Sequence, residues 1–439
     1  MAEIVGTAPK RDRASALAVV GDLIRATEVD ARLLGMVAAL AIVWVGFNIL
    51  SGGTFLTPRN LWNLSVQTST VAVMATGMVL VIVSRNIDLS IGSLMAFVGM
   101  VMGALQTEIL PEYFHLGFDH PATWIIALGA GILLGAIVGG FQGWITAYLN
   151  VPAFIVTLGG LLVWRGGAWW VASGKTLAPM DTTFQIIGGG ASGTIGATAS
   201  WVVAIVACVG ILAAIVNGRR QRQKFSFPLR PVWAEITIAV IGCGLVLIAV
   251  GVINAYPLPI GLAKIYAQAH NMPFPEDGSL FVSFGIAVPV LIALGAAVVV
   301  TFLGTRTRFG RYVFAIGGNP EAARLAGINV PWVTVKVFML MGALTGLAAA
   351  ISIARLNAAT NALGTSYELY TIAATVIGGT SLAGGVGTVA GALLGAVVMQ
   401  SLQSGMVLLG YDAPLQNIVI GVVLVFAVWI DSVYRKRAT

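Results

Sequence analysis

Long apolar runs separated by short polar segments fill most of the chain. A transmembrane helix needs about 20 consecutive apolar residues, and twelve runs come near that length. They lie at 33–50, 64–84, 88–106, 123–148, 153–172, 198–216, 233–255, 281–303, 333–355, 366–381, 388–410 and 415–432. Backbone polar groups in lipid must be satisfied internally, which favours helices. The pattern predicts an all-α, polytopic transmembrane helical bundle of about 10–12 spans, with the glycine-broken stretch 378–391 forming two short helices or a re-entrant turn.

The composition strengthens this prediction. Hydrophobic residues make up 58% of the 439 residues and charged residues only 9%. Soluble domains carry roughly 25% charged residues to hydrate their surfaces, so this chain is solvated by lipid. Its two cysteines and three histidines show no metal-ligand spacing, and no Ser/His/Asp set, paired carboxylates or phosphate-binding loop can be assembled. We therefore predict a non-catalytic protein without metal or cofactor, driven by an ion gradient or by a separate subunit.

The charges predict the orientation. Basic residues concentrate in the N-terminal arm, in 217–230, in 304–330 and in the C-terminal tail, whereas the intervening loops are acidic. By the positive-inside rule, an even number of spans between these segments places all four in the cytoplasm. The predicted organisation is a cytoplasmic arm over 1–32, a transmembrane domain over 33–432 and a cytoplasmic tail over 433–439. The net charge of +7 then follows from topology, and no nucleic-acid partner is needed to explain it.

A weak internal similarity predicts two related halves. Leu133-Leu134-Gly135-Ala136 recurs as Leu393-Leu394-Gly395-Ala396, and each copy is followed by a glutamine and then by a proline. Transporters are commonly built from such repeats, with the substrate path at their interface. The alternative is that two apolar, glycine-rich segments match by composition alone.

The loop 304–332 contains the most informative polar segment. Asn319 suits a helix N-cap, Pro320 the first helical position and Glu321 the positive end of a helix, while Gly327 suits a helix stop. The predicted short, capped helix and its flanks comprise Gly318, Asn319, Pro320, Glu321, Ala322, Ala323, Arg324, Leu325 and Gly327. It is either an ordinary loop helix or a docking helix for another subunit.

Polar residues within or beside the predicted spans are candidates for a transport pathway. Asp88 is costly at a membrane boundary unless it is capped or paired, and we interpret it as a helix cap with Arg85 as countercharge, in preference to substrate contact. Arg165 faces either the pathway or a structural partner. Gln142 and Gln403 each have two explanations: the side chain lines the pore, or it forms a hydrogen bond between helices. The candidate set is Asp88, Ser90, Gly92, Ser93, Gln142, Arg165 and Gln403.

Four collinear motifs resemble one family. Asn86–Ser93 is similar to its Ile-Asp-Leu-Ser-Val-Gly-Ser signature, and Val151–Gly159 to its Pro-x-Phe-Ile-Val-Thr-Leu segment. Ala315–Leu325 resembles its coupling loop, and Val376–Gly385 its late glycine motif. The family is the ribose/xylose group of permeases of bacterial ABC monosaccharide importers, and the match covers nearly the whole chain. Several stretches, including the basic loop 218–222, look most like the D-xylose permeases.

The resemblance implies a permease domain over 33–432 in the bacterial inner membrane, with both termini cytoplasmic. The implied partners are a second permease copy, an ATP-hydrolysing subunit on which the coupling helix docks, and a periplasmic sugar-binding protein. The implied activity is import of D-xylose by alternating access. The alternatives are another sugar, such as ribose or galactose, and an ion-coupled secondary sugar transporter. The external loop 256–280, with Lys264, His270, Glu276 and Asp277, departs from the family pattern and leaves the docking of the binding protein open.

Overall fold

The structure, a computed structural model, describes residues 28, 31–118, 120–190, 192–269, 271–275 and 280–438. Within those ranges the regular elements are helices, and no strand is formed. In chain order they are α1 (Ala31–Leu50), α2 (Pro58–Val83), α3 (Ile91–Ala104), α4 (Leu110–Phe114), α5 (Pro121–Tyr148), α6 (Ala153–Ala172), α7 (Thr182–Gln185), α8 (Gly196–Lys224), α9 (Val232–Asn254), α10 (Ile260–Ala269), α11 (Val288–Arg306), α12 (Arg308–Gly318), α13 (Pro320–Leu325), α14 (Val330–Leu356), α15 (Tyr367–Ile377), α16 (Val389–Leu408) and α17 (Ala413–Ala438). A π-helical turn, Leu105–Ile109, joins α3 to α4. The all-α prediction is confirmed.

Ten helices in the described ranges are long and apolar enough to cross a membrane, so the polytopic bundle is confirmed. The predicted run 366–381 is wrong as a single span, because its helix, α15, has only 11 residues. The run 415–432 lies in α17, whose apolar part, as far as the structure describes it, is Ala413–Phe426. The internal two-half repeat stays a prediction.

The non-helical segment 357–366 and α15 together cross the bundle. Ala359 and Leu177 exchange two backbone hydrogen bonds, 2.9 and 3.0 Å long, beyond the C-terminal end of α6. Past the other end of α15, the backbone N–H of Gly385 donates to the carbonyl of Val83 at 2.9 Å, at the end of α2. The glycine-rich stretch 378–391 is therefore a turn at this end of the bundle, with Thr380 and Ser381 buried, followed by the first residues of α16, and not a re-entrant loop.

Two of the four predicted basic segments, 217–230 and 304–330, lie at one end of the bundle, which we call the basic end. α2 and α11 run side by side, because Trp62 Nε1 donates to Gly285 O at 2.9 Å near their starts and Leu80 lies against Gly304 near their ends. α12 and α13 follow at that end. α8 starts at the opposite end, where Ile195 N donates to Ile286 O, so its last turn and the segment 217–230 also reach the basic end.

The centre of the bundle depends on glycine. Gly135 of α5 and Gly342 of α14 face each other so closely that a Cβ built on either would overlap the carbonyl oxygen of the other. Small residues permit this approach of two backbones, which drives helix association in lipid where hydrophobic exclusion does not. α2, α3 and α14 are mostly buried in this centre, whereas α8 and α9 form an outer hairpin that is mostly exposed.

The predicted flanking regions are described only in part. Of the arm 1–32, residues 28, 31 and 32 are described, and Glu28 pairs with Arg222 and Arg230 of the basic segment. α10 lies in the predicted external loop 256–280, of which His270, Glu276 and Asp277 lie outside the described residues. The helical backbone of α17 continues through the predicted tail to Ala438, because no glycine or proline interrupts the sequence there.

Candidate translocation and coupling sites

Two non-helical segments meet inside the bundle. The segment 84–90 separates α2 from α3, and the segment 357–366 separates α14 from α15. They come together at Gly92, where an added Cβ would overlap the Glu368 carboxylate and the Gly364 carbonyl oxygen. Irregular backbone at membrane depth is tolerated only where protein covers it or a cavity is lined by it. This meeting point is therefore the strongest candidate for a transport pathway.

Asp88 and Ser90 fix the start of α3. Asp88 Oδ1 accepts the backbone N–H of Ser90 at 2.9 Å and the Ser90 hydroxyl at 2.6 Å. The carboxylate therefore lies at the positive N-terminal end of α3, where a negative charge is stabilised. Ser90 Oγ also lies 2.9 Å from Gln142 Oε1 of α5. The structure thus brings Asp88, Ser90 and Gln142 together.

Arg85 is not the countercharge that we expected for Asp88. Within the described residues no ion pair joins the two side chains. Arg85 Nε donates instead to Gly317 O at 2.8 Å, and Nη2 to Gly318 O at 2.7 Å. Asp88 is also not the predicted helix cap, because the N-cap of α3 is Ser90 and no described side chain accepts a hydrogen bond from the first turn. The N–H and hydroxyl of Ser90 satisfy the Asp88 carboxylate without a cation, and Arg85 holds the end of α12.

α6 closes the other side of the meeting point. Gly160 lies so close to Gln142 that an added Cβ would overlap Gln142 Nε2, and that Cβ would lie 3.2 Å from Trp164 Nε1. The rings of Trp164 and Phe97 pack at a centroid distance of 5.4 Å. Arg165 Nη1 donates to Asn361 O at 2.7 Å and to Leu363 O at 2.9 Å. Arg165 therefore holds the segment 357–366 in place through its backbone.

We call Asp88, Ser90, Gln142, Trp164, Asn361 and Glu368 the junction cluster. Gln142 lies six residues before the end of α5, and Gly160 seven residues after the start of α6. At a rise of about 1.5 Å per residue, the cluster is roughly 10 Å inside the bundle from the basic end. Sequence reasoning missed Trp164, Asn361 and Glu368. Glu368 had a signal, because it is the one acidic residue between Glu321 and Asp412.

The junction cluster contains buried polar atoms that lack a partner among the described residues: Gln142 Nε2, Trp164 Nε1, Asn361 Oδ1 and Glu368 Oε2. Ser93 Oγ and Thr371 Oγ1, on the neighbouring turns of α3 and α15, share this property. Each such atom costs about 1–3 kcal/mol relative to a satisfied one. Native proteins contain few of them, and each calls for an explanation.

A cavity of about 460 Å³ opens on the basic end below this cluster. It lies between the segment 84–90 and the turn from α5 to α6. Its lining comprises Arg85, Asn86, Ile87, Thr146, Asn150, Val151, Pro152, Ala153 and Phe154. Thr157 Oγ1, which is 2.9 Å from Ala153 O of its own helix, also lies 3.3 Å from Ile87 O, which places α6 beside the segment that separates the cavity from the junction cluster.

The other candidate site is the predicted short helix, which is present as α13. Asn319 Oδ1 accepts the backbone N–H of Ala322 at 3.1 Å, and Pro320 is the first helical residue. Gly327 has a φ of +81°, in the left-handed region that favours glycine at a helix stop. Only one residue of the helix, Ala323, is buried, while Glu321 and Arg324 are exposed and Leu325 is 85% exposed. An apolar side chain on an exposed, rigidly capped helix suits docking.

Two predicted residues belong elsewhere. Gln403 Oε1 accepts a hydrogen bond of 2.7 Å from Gln400, whose Nε2 also lies 3.4 Å from Gln67 Oε1. This contact joins α16 to α2 and is separate from the junction cluster. Gly318 is exposed at the end of α12.

No group of three or more metal-ligating side chains occurs in the part of the chain that the structure describes.

Buried breaks in long apolar helices, together with an exposed capped helix at the basic end, define a multi-pass membrane permease. Residues 60–219 and 184–428 match a family model described as "Branched-chain amino acid transport system / permease component". The chain belongs to this family, within its group of ribose/xylose-type ABC sugar permeases.

Curated relatives agree with this assignment. The chain is 36% identical over 403 residues to the xylose transport system permease protein of Escherichia coli (strain K12), covering 92% of each chain. It is 36% identical over 415 residues to the protein of the same description in Haemophilus influenzae, covering 94% of this chain and 100% of the relative. The ribose import permease protein of Escherichia coli (strain K12) is 32% identical over 384 residues, or 86% of this chain and 87% of the relative. These relatives are transport permeases. No solved structure matches the chain.

Proposed function

We propose that the chain is the permease subunit of an ATP-driven importer that moves D-xylose from a periplasmic binding protein to the cytoplasm. Support for the sugar comes from relatives named as xylose permeases, which share 36% identity over 92% of the chain. The chain contributes no ATP hydrolysis, and a separate subunit supplies it. The basic end faces the cytoplasm of a bacterial inner membrane, in keeping with the positive-inside rule.

The observation that carries the proposal is the connection between α13 and the junction cluster. α13 follows α12 directly, and the last carbonyl groups of α12 accept both hydrogen bonds from Arg85. Arg85 is three residues before Asp88, whose carboxylate fixes the start of α3. A displacement of α13 therefore reaches the segment 84–90 through hydrogen bonds rather than through a flexible loop.

This connection suggests how an ATPase drives the permease. Two permease copies and two ATPase modules (or one fused double module) form the assembly, and α13 of each copy docks on an ATPase. ATP-dependent closure of the ATPases moves α13 as a rigid body. Because Arg85 links α12 to the segment 84–90, that segment shifts against α5 and α6 and opens or closes the path at the junction cluster. The result is alternating access.

Docking is tested with the substitutions Glu321→Lys and Leu325→Asp. Both side chains are exposed, so neither change affects folding, whereas both place an unfavourable charge in the contact with the ATPase. We expect normal amounts of permease in the membrane, loss of co-purification with the ATPase subunit, and loss of sugar uptake in reconstituted proteoliposomes.

The control is Leu229→Asp, which makes the same change at a 43% exposed leucine of the basic segment between α8 and α9. This variant retains ATPase binding and uptake. Normal uptake by Glu321→Lys and Leu325→Asp would show that α13 is an ordinary loop helix. The sugar is tested separately with the cognate binding protein, and tight binding of ribose without binding of xylose would overturn that assignment.

A further inference from the structure

The unpartnered atoms of the junction cluster match the hydrogen-bonding groups of one class of ligand. Gln142 Nε2 and Trp164 Nε1 are donors, while Asn361 Oδ1 and Glu368 Oε2 are acceptors, and none has a partner within the described residues. A hydroxyl group both donates and accepts. Several hydroxyls on one small ring can therefore satisfy donors and acceptors that protein groups leave open.

The charges of the cluster disfavour an amino acid as its ligand. A zwitterion needs a cation for its carboxylate, but Nη1 of Arg165 donates to the backbone carbonyl groups of Asn361 and Leu363, and the charge of Arg165 already faces that of Glu368. The Asp88 carboxylate is likewise engaged by the backbone and hydroxyl of Ser90. The groups left open are mostly neutral, which suits an uncharged polyol.

The shape of the cluster also suits a sugar ring. The Trp164–Phe97 ring pair offers an apolar surface against which the C–H groups of a pyranose can pack. Gly160 and Gly92 have no side chain, which lets Gln142 and Glu368 lie so close to the backbone that an added Cβ would overlap them. The cavity of about 460 Å³ at the basic end has the size of sites that hold small organic ligands (about 300–1,000 Å³), and Ile87 of its lining directly precedes Asp88.

We propose that the junction cluster is a transient binding site for the transported monosaccharide, in which Gln142 and Trp164 donate to sugar hydroxyls and Asn361 and Glu368 accept from them. The site is closed in this structure and forms when the segments 84–90 and 357–366 move apart. The inference rests on the import function proposed above and assigns its sugar contacts. Because the two segments must move apart before the sugar enters, part of the binding free energy is spent on opening the site, and the sugar binds weakly and is released readily.

The test uses Trp164→Phe, which removes the Nε1–H donor and keeps a ring, and Gln142→Met, which removes the amide at similar length. The matched control is Gln403→Met, a change of the same kind on α16 outside the cluster. Each permease is reconstituted with its ATPase and with xylose-loaded binding protein at saturating concentration. We measure xylose transported per ATP hydrolysed, the stimulation of ATPase by the binding protein, and thermal stability.

We expect the xylose transported per ATP to fall about tenfold in Trp164→Phe and Gln142→Met and to stay unchanged in Gln403→Met. ATPase stimulation stays normal in all three, because α13 and Arg85 are intact. Trp164→Phe should lower the thermal stability only slightly, because the lost donor had no partner and a ring still packs against Phe97. A normal ratio of xylose to ATP in both cluster variants would overturn the proposal, as would a loss of ATPase stimulation together with transport. Neither result decides the coupling role of α13, which the substitutions at Glu321 and Leu325 test separately.

Discussion

The central helices and the outer hairpin are both apolar enough to span a membrane, with mean hydropathies of 1.9 and 2.1 for α2 and α14 and of 2.7 and 2.8 for α8 and α9, but their environments differ. The apolar windows of α2 and α14 are 94% and 78% buried within the protein, whereas those of α8 and α9 are 11% and 6% buried. Lipid covers the hairpin, so its side chains need only be apolar. The centre is covered by protein, so its side chains must also fit one another.

This difference explains where the polar residues are. Buried serine, threonine and glutamine side chains concentrate on α2, α3, α5, α14, α15 and α16, where a neighbouring helix offers a partner. On the hairpin the charged residues gather instead at the basic end, where Arg219 pairs with Glu235 at 2.8 Å. The centre therefore holds the groups that can act on a substrate, and the hairpin holds the protein in the membrane.

The largest expected effect comes from filling the contact between α5 and α14. Leucine at Gly342 would drive its side chain into the backbone of Gly135, and helices cannot separate without losing the contacts around them. The loss exceeds the roughly 1–3 kcal/mol of ordinary overpacking. We expect Gly342→Leu to abolish accumulation of folded permease, measured by size-exclusion chromatography in detergent.

The matched control for this prediction is Gly210→Leu on α8, where an added Cβ meets nothing within 4 Å. This variant should accumulate normally. Equal loss of both variants would mean that the hairpin is packed against protein in the membrane, and the contrast between the two regions would fail.

An intermediate effect is expected from Arg85→Ala. The substitution removes two hydrogen bonds to the end of α12, worth roughly 1–3 kcal/mol in all because the guanidinium is partly exposed. Folding tolerates that loss, whereas the connection from α13 to the segment 84–90 does not. We expect ATPase binding to persist and sugar uptake to fall severalfold, with a smaller fall in Arg85→Lys.

The control is Arg311→Ala on the exposed side of α12, which should transport normally. Equal uptake by all variants would show that Arg85 does not couple α13 to the segment 84–90.

Most of the fold could be predicted from apolar run length, because lipid imposes one length on every span. The cap of α13 was also predictable, since Asn319, Pro320 and Gly327 act through their own backbone neighbours. The segment 357–366 and the short α15 were missed, because apolarity alone does not separate a helix from an extended segment buried in protein. Glycines mark this region, but their meaning depends on partners such as Gly92, more than 270 positions away in the chain.

The candidate site was predictable only where local chemistry determined it. Asp88 and Ser90 were found because a carboxylate at a membrane boundary must be capped or paired, and Gln142 because an amide in a span must find a partner. Trp164 and Asn361 were missed, since a tryptophan in an apolar helix and a loop asparagine are ordinary in sequence. They matter because α5, α6 and two non-helical segments converge in the fold. These contacts join residues far apart in the chain, so no local sequence pattern reveals them.

The smallest expected effect concerns the ion pairs that join the arm to the hairpin. Hydrogen bonds from Arg222 and Arg230 lower the pKa of Glu28 from 4.5 to about 2. A carboxyl group with a lowered pKa stabilises the fold fully above pH 4.5, and this contribution is lost as the pH falls towards 2. Because Glu28 is exposed and screened by solvent and salt, Glu28→Gln should lower the Tm at pH 7 by about 1 °C or less. The difference should shrink at high salt and fade as the pH falls below 4.5, whereas the loss caused by Gly342→Leu should depend on neither. A large, salt-independent effect of Glu28→Gln would mean that the arm is packed as tightly as the central helices. The difference in packing between the centre and the periphery would then not hold at the arm.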